Sequence, residues 1–161
     1  MKKLLTICLL LATFFSATAQ EKPSKDTTIA FIKRSLESTK GTQRNGGMII
    51  LEYDFDLKSI YIKGQNVMFP DIFKYEKYSV INWDKLSFVG EHTVRNKIVG
   101  IVLVFETPVK YENEKPNGKA IVEYQNEIRL EIPEGKFESL KKAFLRLAEI
   151  DKEENKDPFQ N

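Results

Sequence analysis

Between Met48 and Ile132 apolar side chains recur at every second position, the period of a β-strand with one buried and one wet face. The short runs "MIILEYDFDL" and "SIYIKG" are strand candidates joined by a turn near Lys58, and "FKYEKYSVI" and "DKLSFVGE" follow with Trp83 between them. "NKIVGIVLVFE" is rich in β-branched residues and reads as a central strand. Asn117-Gly118 is a hairpin-turn signal, and "AIVEYQNEIRLEI" is the return strand. Its pattern places Val122, Tyr124, Ile128, Leu130 and Ile132 inward, and Glu123, Gln125, Glu127, Arg129 and Glu131 outward.

On either side the period becomes helical. Asp26 is a plausible N-cap for a helix running to about Lys40, where Gly41 stops it. Ile29, Ile32 and Leu36 form its apolar stripe, with Phe31 well off it. "GTQRNGG" reads as a loop. After Pro133-Glu134-Gly135 a second helix is predicted from about Lys136 to Lys152. Phe137, Leu140, Phe144, Leu147 and Ala148 share one face, and Leu145 projects from the opposite one. The expected fold class is α+β: an antiparallel sheet of five to seven strands flanked by an N-terminal helix and a C-terminal amphipathic helix.

A strand meander closed by one C-terminal helix resembles the pleckstrin-homology-like architecture. The stretches "ATAQ", "TTIAFIKRSLES", "YSVINWDKLSF" and "FESLKKAFLRLAEI" are similar to small secreted Bacteroidota proteins of unknown function. That resemblance implies a fold and an exported compartment. It carries over no functional residue, because one fold hosts many functions.

The first 19 residues read as a secretory signal peptide. Lys2 and Lys3 precede an apolar run from Leu4 to Phe15, and Ala17-Thr18-Ala19 is a small-x-small cleavage pattern. The run is too short to span a bilayer as an anchor. Domain expectations follow: residues 1–19 signal, 20–25 linker, 26–152 a single α+β domain, 153–161 a flexible tail. Removing 19 of the 161 residues leaves 142, and takes away two of the 25 basic residues and none of the 23 acidic ones. The exported chain thus carries 23 of each and no formal net charge. It lacks the basic surplus of a nucleic-acid binder. Its one cysteine, Cys8, leaves with the signal, so neither a disulfide nor a thiolate nucleophile is available. A soluble monomer without cofactor is expected, in the periplasm rather than outside the cell.

Candidate chemistry is sparse. In "EYDFD", Glu52, Asp54 and Asp56 share a strand face while Tyr53, Phe55 and Leu57 take the other. Neighbouring carboxylates on a straight strand sit about 6.5–7 Å apart, so three cannot converge on one ion. The solvated face is the better reading. His92 is the sole histidine, between two strand candidates, and no nucleophile-elbow, phosphate-loop or zinc-ligand spacing is present. The case for an enzyme is accordingly weak. In "MFPDIFKYEKY", Phe69, Phe73, Tyr75 and Tyr78 interleave with Lys74 and Lys77, a composition suited to binding a protein or a small ligand. The competing assignment turns Phe73 and Tyr75 into the core and leaves Lys74 and Glu76 wet. The function expected is a non-enzymatic binding or interaction module for an unknown protein or small-molecule ligand. The alternatives are a lipid or small apolar ligand carrier, with a cavity between sheet and C-terminal helix, and a carboxylate-based hydrolase using residues such as Asp54 and Asp56.

Overall fold

In the computed structural model, which describes residues 22–156 apart from 45–46, 94–97 and 115–118, the chain folds as α1 (Lys25–Glu37), β1 (Gln43–Arg44), β2 (Met48–Phe55), β3 (Ser59–Asn66), β4 (Phe73–Ser79), a 3-10 turn (Trp83–Lys85), β5 (Leu86–Thr93), β6 (Ile98–Glu114), β7 (Ala120–Pro133) and α2 (Phe137–Glu154). The signal peptide and the Asn117-Gly118 turn lie outside the described residues, as does the chain from 157 onward. All seven strands join one antiparallel sheet, so the α+β expectation holds.

Helix boundaries differ slightly from the sequence pattern. Ser24 is the N-cap in place of Asp26, its Oγ accepting from the Thr27 N–H at 3.3 Å, and Asp26 lies in the first turn, where its charge suits the helix dipole. The helix stops at Glu37 because the next residues turn back toward β1, and Gly41 supplies the positive φ that this requires. At the other end α2 continues through Glu153 and Glu154, two residues expected in the tail. Lys25 pairs with Glu154, which ties the last turn of α2 to the first of α1.

The sheet is not a simple meander. Strands β1 to β4 run up and down, but the next neighbour of β4 is β6, while β5 pairs only with β6. β6 is 17 residues long and divides its work: its first half pairs with β5, its second with β4, and its other edge pairs with β7 along both halves. At the division, pairing jumps from Val104↔Glu127 to Val109↔Gln125, leaving four residues of β6 opposite Asn126 alone. The Asn126 amide fills the gap, donating to the carbonyls of Phe105 at 2.9 Å and Glu106 at 3.3 Å. Such a bulge bends the sheet. β2 and β7 consequently meet, the Tyr53 hydroxyl donating to the Glu131 carbonyl at 3.4 Å.

The bulge also corrects the β7 pattern. Ile128, Leu130 and Ile132 are buried as expected, but Val122 and Tyr124 are 49% and 70% exposed. Beyond the register shift they pair with Glu112 and Lys110, on the outward surface of the sheet.

The core fills the concave side. Tyr53 and Phe55 of β2 face the helices, Ile32 and Leu36 of α1 pack with them, and Leu140, Phe144 and Leu147 close the layer from α2. At the centre Trp83 stacks on Phe144 (ring centroids 5.6 Å apart) and meets Phe55 at 5.8 Å and Phe105 at 5.7 Å. Its indole N–H donates to the Leu57 carbonyl at 2.8 Å, so its one polar atom is satisfied inside the core. The space between sheet and C-terminal helix, where the carrier alternative places a cavity, is occupied by these rings.

Reaching Trp83 from β4 forces a tight backbone bend. Val80 carries it at φ 61°, a left-handed conformation that a β-branched residue adopts only under strain. Its side chain is exposed, so little packing is lost by changing it. Val80→Asn is expected to raise unfolding stability by roughly 0.5–1 kcal/mol, because asparagine tolerates this region; a urea titration that shows a loss instead would locate native packing in the Val80 side chain.

Candidate functional site

The "EYDFD" carboxylates separate along β2 as a wet strand face should. Glu52, Asp54 and Asp56 are exposed while Tyr53 and Phe55 are buried. Asp54 pairs with Lys33 of α1 at 3.1 Å. Asp56 closes the turn into β3, accepting from the N–H groups of Lys58 and Ser59 and from the Ser59 hydroxyl. Burial works against its ionisation, but those hydrogen bonds outweigh it and hold the carboxyl below its usual pKa. Asp54 and Asp56 are thus exposed and held by separate structural partners, Lys33 and the β2–β3 turn.

The six residues singled out in "MFPDIFKYEKY" divide between two faces. Register places Tyr53, Ile62 and Glu76 in one inward row, and Phe55, Ile60 and Tyr78 in the next. Tyr78 is buried and Lys74 points inward beside Glu76, so neither belongs to an outward surface. Phe73, Tyr75 and Lys77 take the other face, which reverses the assignment of Phe73 and Tyr75 to the core. There Lys63 Nζ lies 5.3 Å from the Phe73 ring centroid and 5.6 Å from that of Tyr75, and Tyr75 stacks on Tyr61 at 6.3 Å. The result is a half-buried aromatic and cationic ladder across β3 and β4. At its end, Met68 and Phe69 are 80% and 59% exposed on the β3–β4 turn. Asn66 shapes that turn by accepting both of their backbone N–H groups at 2.9 Å.

The inward face holds a site that the sequence did not announce. Arg44, on the two-residue β1 inside a stretch that reads as loop, bridges Glu76 of β4 and Glu131 of β7. Glu76 Oε1 also accepts from Lys74 Nζ at 2.8 Å and from the Tyr111 hydroxyl at 2.9 Å. Arg44 Nε lies 2.8 Å from Glu131 Oε2, an ion pair with both side chains largely buried. Desolvation opposes charge on Arg44, but the two glutamates more than offset it and raise its pKa. Burial likewise disfavours the Glu76 anion, and Arg44 with Lys74 outweighs that to lower its pKa. Burial and the neighbouring carboxylates push the hydroxyls of Tyr53, Tyr78 and Tyr111 above the usual tyrosine range. A pocket of about 310 Å³ opens over this cluster, with Arg129 and His92 also lining it. His92 is on β5 opposite Gly100 rather than in a loop, and its side chain is exposed. With an arginine between them, Glu76 and Glu131 compensate a charge and join the first, fourth and seventh strands; they are not a free acid–base pair.

A third feature lies on the helices. Phe31, which flanks the buried face of α1 and packs against the core, and Leu145, off the buried stripe of α2, come together in a groove of about 700 Å³ between α1 and α2. No protein-family model, curated protein or solved structure matches the chain. No helix among the described residues is long and apolar enough to cross a membrane.

Removing one member of a buried ion cluster leaves the others uncompensated. Arg44→Met is therefore expected to destabilise the fold by about 3 kcal/mol in urea unfolding, and a cost under about 1 kcal/mol would reduce the bridge to a surface contact. Because the folded pKa of Glu76 is lowered, its contribution is complete above the unfolded value of about 4.3 and lost as pH falls through the folded one. The urea midpoint should fall more steeply between pH 5 and pH 3 in the parent protein than in Glu76→Gln.

Proposed function

We propose that this chain is an exported, non-enzymatic interaction module that holds a protein partner on the outward face of β3 and β4. The observation that carries the reading is the solvent-facing ladder of Tyr61, Lys63, Phe73 and Tyr75 beside the exposed Met68-Phe69 tip. Aromatics ordered by stacking cost little further entropy when a partner covers them, and such residues are enriched where interfaces concentrate their energy. The row pairings extend the surface through Lys77 and Glu112 to Val122. Phe69 and Tyr75 are its anchors, with Phe73 and Lys77 beside them. Tyr78 and Lys74 support it from the inner side of β4.

Export is part of the same proposal. The Lys2-Lys3, Leu4–Phe15 and Ala17-Thr18-Ala19 succession supports cleavage after Ala19 and a periplasmic location. The resemblance of the sequence stretches to small secreted Bacteroidota proteins implies the same compartment and supplies no function. Intact-mass measurement of the protein from its native host is expected to show a chain beginning at Gln20, and retention of residues 1–19 would defeat the export reading.

A photo-crosslinking residue at position 69 is expected to capture a defined polypeptide at fixed stoichiometry, and one at position 149 on α2 is not. Phe69→Ala should abolish capture by a crosslinker at position 77 while changing stability by no more than about 0.5 kcal/mol, as for other surface substitutions. Tyr75→Ala should weaken capture as well. Equal capture from positions 69 and 149 would remove the assigned face.

A further inference from the structure

We infer that the groove between α1 and α2 binds a single-chain anionic amphiphile, a free fatty acid, with its carboxylate on Lys142 and its chain over Phe31, Ala143 and Leu145. This site is separate from the proposed partner face, because it lies on the helix layer rather than on the outward side of β3 and β4.

Two unrelated sequence signals meet here. Phe31 flanks the buried face of α1 that Thr28, Ile32, Ser35 and Leu36 form, Leu145 sits off the buried stripe of α2, and the packing of the helices brings both to one groove. Leu145 remains 39% exposed, and Phe31, half-buried, packs against the edge of the core and lines the groove as well. Pro23 and the methyl-bearing Thr27 and Thr28 complete the α1 side. The chain ahead of α1 closes one end of the groove: Arg146 Nε donates to the Pro23 carbonyl at 3.1 Å, and Lys22 pairs with Glu149 at 3.4 Å. About 700 Å³ lies within the range of small-molecule sites.

Charge selects the occupant. Three cations line the groove, Lys22, Lys142 and Arg146, against the single carboxylate of Glu149. Glu149 already engages Lys22 and Arg146, and they hold its pKa down. Lys142 has no ion-pair or hydrogen-bond partner among the described residues. An apolar trough with one uncompensated ammonium at its rim complements a molecule with an acyl chain and one anionic head. A neutral chain would leave the ammonium unused, and a small anion would leave the trough wet.

The test uses 11-(dansylamino)undecanoate, whose emission rises in an apolar site, with laurate as competitor. Saturable binding at one site per chain, displaced by laurate, is expected. Lys142→Glu should weaken it about fivefold and Lys142→Arg should retain it, as an ion pair at a partly exposed site requires. Leu145→Asp should weaken it about tenfold by placing a charge under the chain, and thermal unfolding of each variant checks that the fold is kept. Phe69→Ala should leave probe binding unchanged, so failure here and failure of the partner face are distinguishable. Equal affinity for the methyl ester of the probe would overturn the head-group assignment. No saturable binding, or association only with anionic vesicles, would overturn the site. Capture of an amphipathic helix without uptake of the probe would do the same, by assigning the groove to a protein segment.

Discussion

The fold depends on β6 serving three strands at once. A 17-residue strand with a different neighbour along each half of one edge cannot stay flat, and the bulge against Asn126 is where it turns. Because it turns, β4 and β5 need not be adjacent, and the chain between them is free to dive through Val80 to Trp83 beneath α2. Because it turns, β7 also comes round to β2, and the sheet gains a concave side deep enough for two helices. The strained φ of Val80 and the central placing of Trp83 are thus consequences of one sheet irregularity.

Two helices of 13 and 18 residues leave part of the inward face uncovered, where a pocket opens over Arg44, Glu76 and Glu131. The rings of Phe55, Trp83, Phe105 and Phe144 fill the part under the helices. Beyond them the inward rows continue to Glu76 and Lys74, past the reach of apolar cover, and there the interior is electrostatic. Placing Arg44 between two glutamates gains less over an apolar filling than its coulombic attraction suggests, since all three charges are desolvated. What it supplies is a link between three strands distant in sequence, and a strong penalty for any register that leaves one of the charges unpaired.

Most of the layer structure was legible because it rests on periodicity. The stripes Ile32, Leu36 and Leu140, Phe144, Leu147 are buried as their spacing requires, and Glu52, Tyr53, Asp54, Phe55 alternate as a half-wet strand should. Periodicity fails where the surroundings change along one strand. Val122 and Tyr124 keep the sequence phase of Ile128, but the bulge moves them to the outer surface. Phe73 and Tyr75 were the apolar half of a clean alternation, and hydropathy alone would bury them; Glu76 and Tyr78 take the inside because Arg44 and Tyr111 wait for them there. Arg44 itself lies in a glycine-flanked stretch whose composition says loop. A two-residue strand leaves no period to detect, and only the long-range pairing of β1 with β2 positions its side chain.

The residues that break a pattern carry more functional information here than those that keep it. Leu140 or Ile32 is explained once the helix has a core to face. Leu145 is not, since a helix with one buried stripe gains nothing from a second apolar position on its wet side. One such residue is ordinary surface variation. Set beside Phe31 and an ammonium with no partner among the described residues, it lines a concave surface with a defined polarity at one end. The outward ladder differs in kind. Its aromatics are flat on a sheet, mutually stacked and bordered by balanced charge, which suits a broad protein contact more than an enclosed ligand. The helix layer and the sheet layer of this small fold thus present different surfaces, one grooved and one broad, and the two occupants proposed for them differ in size accordingly.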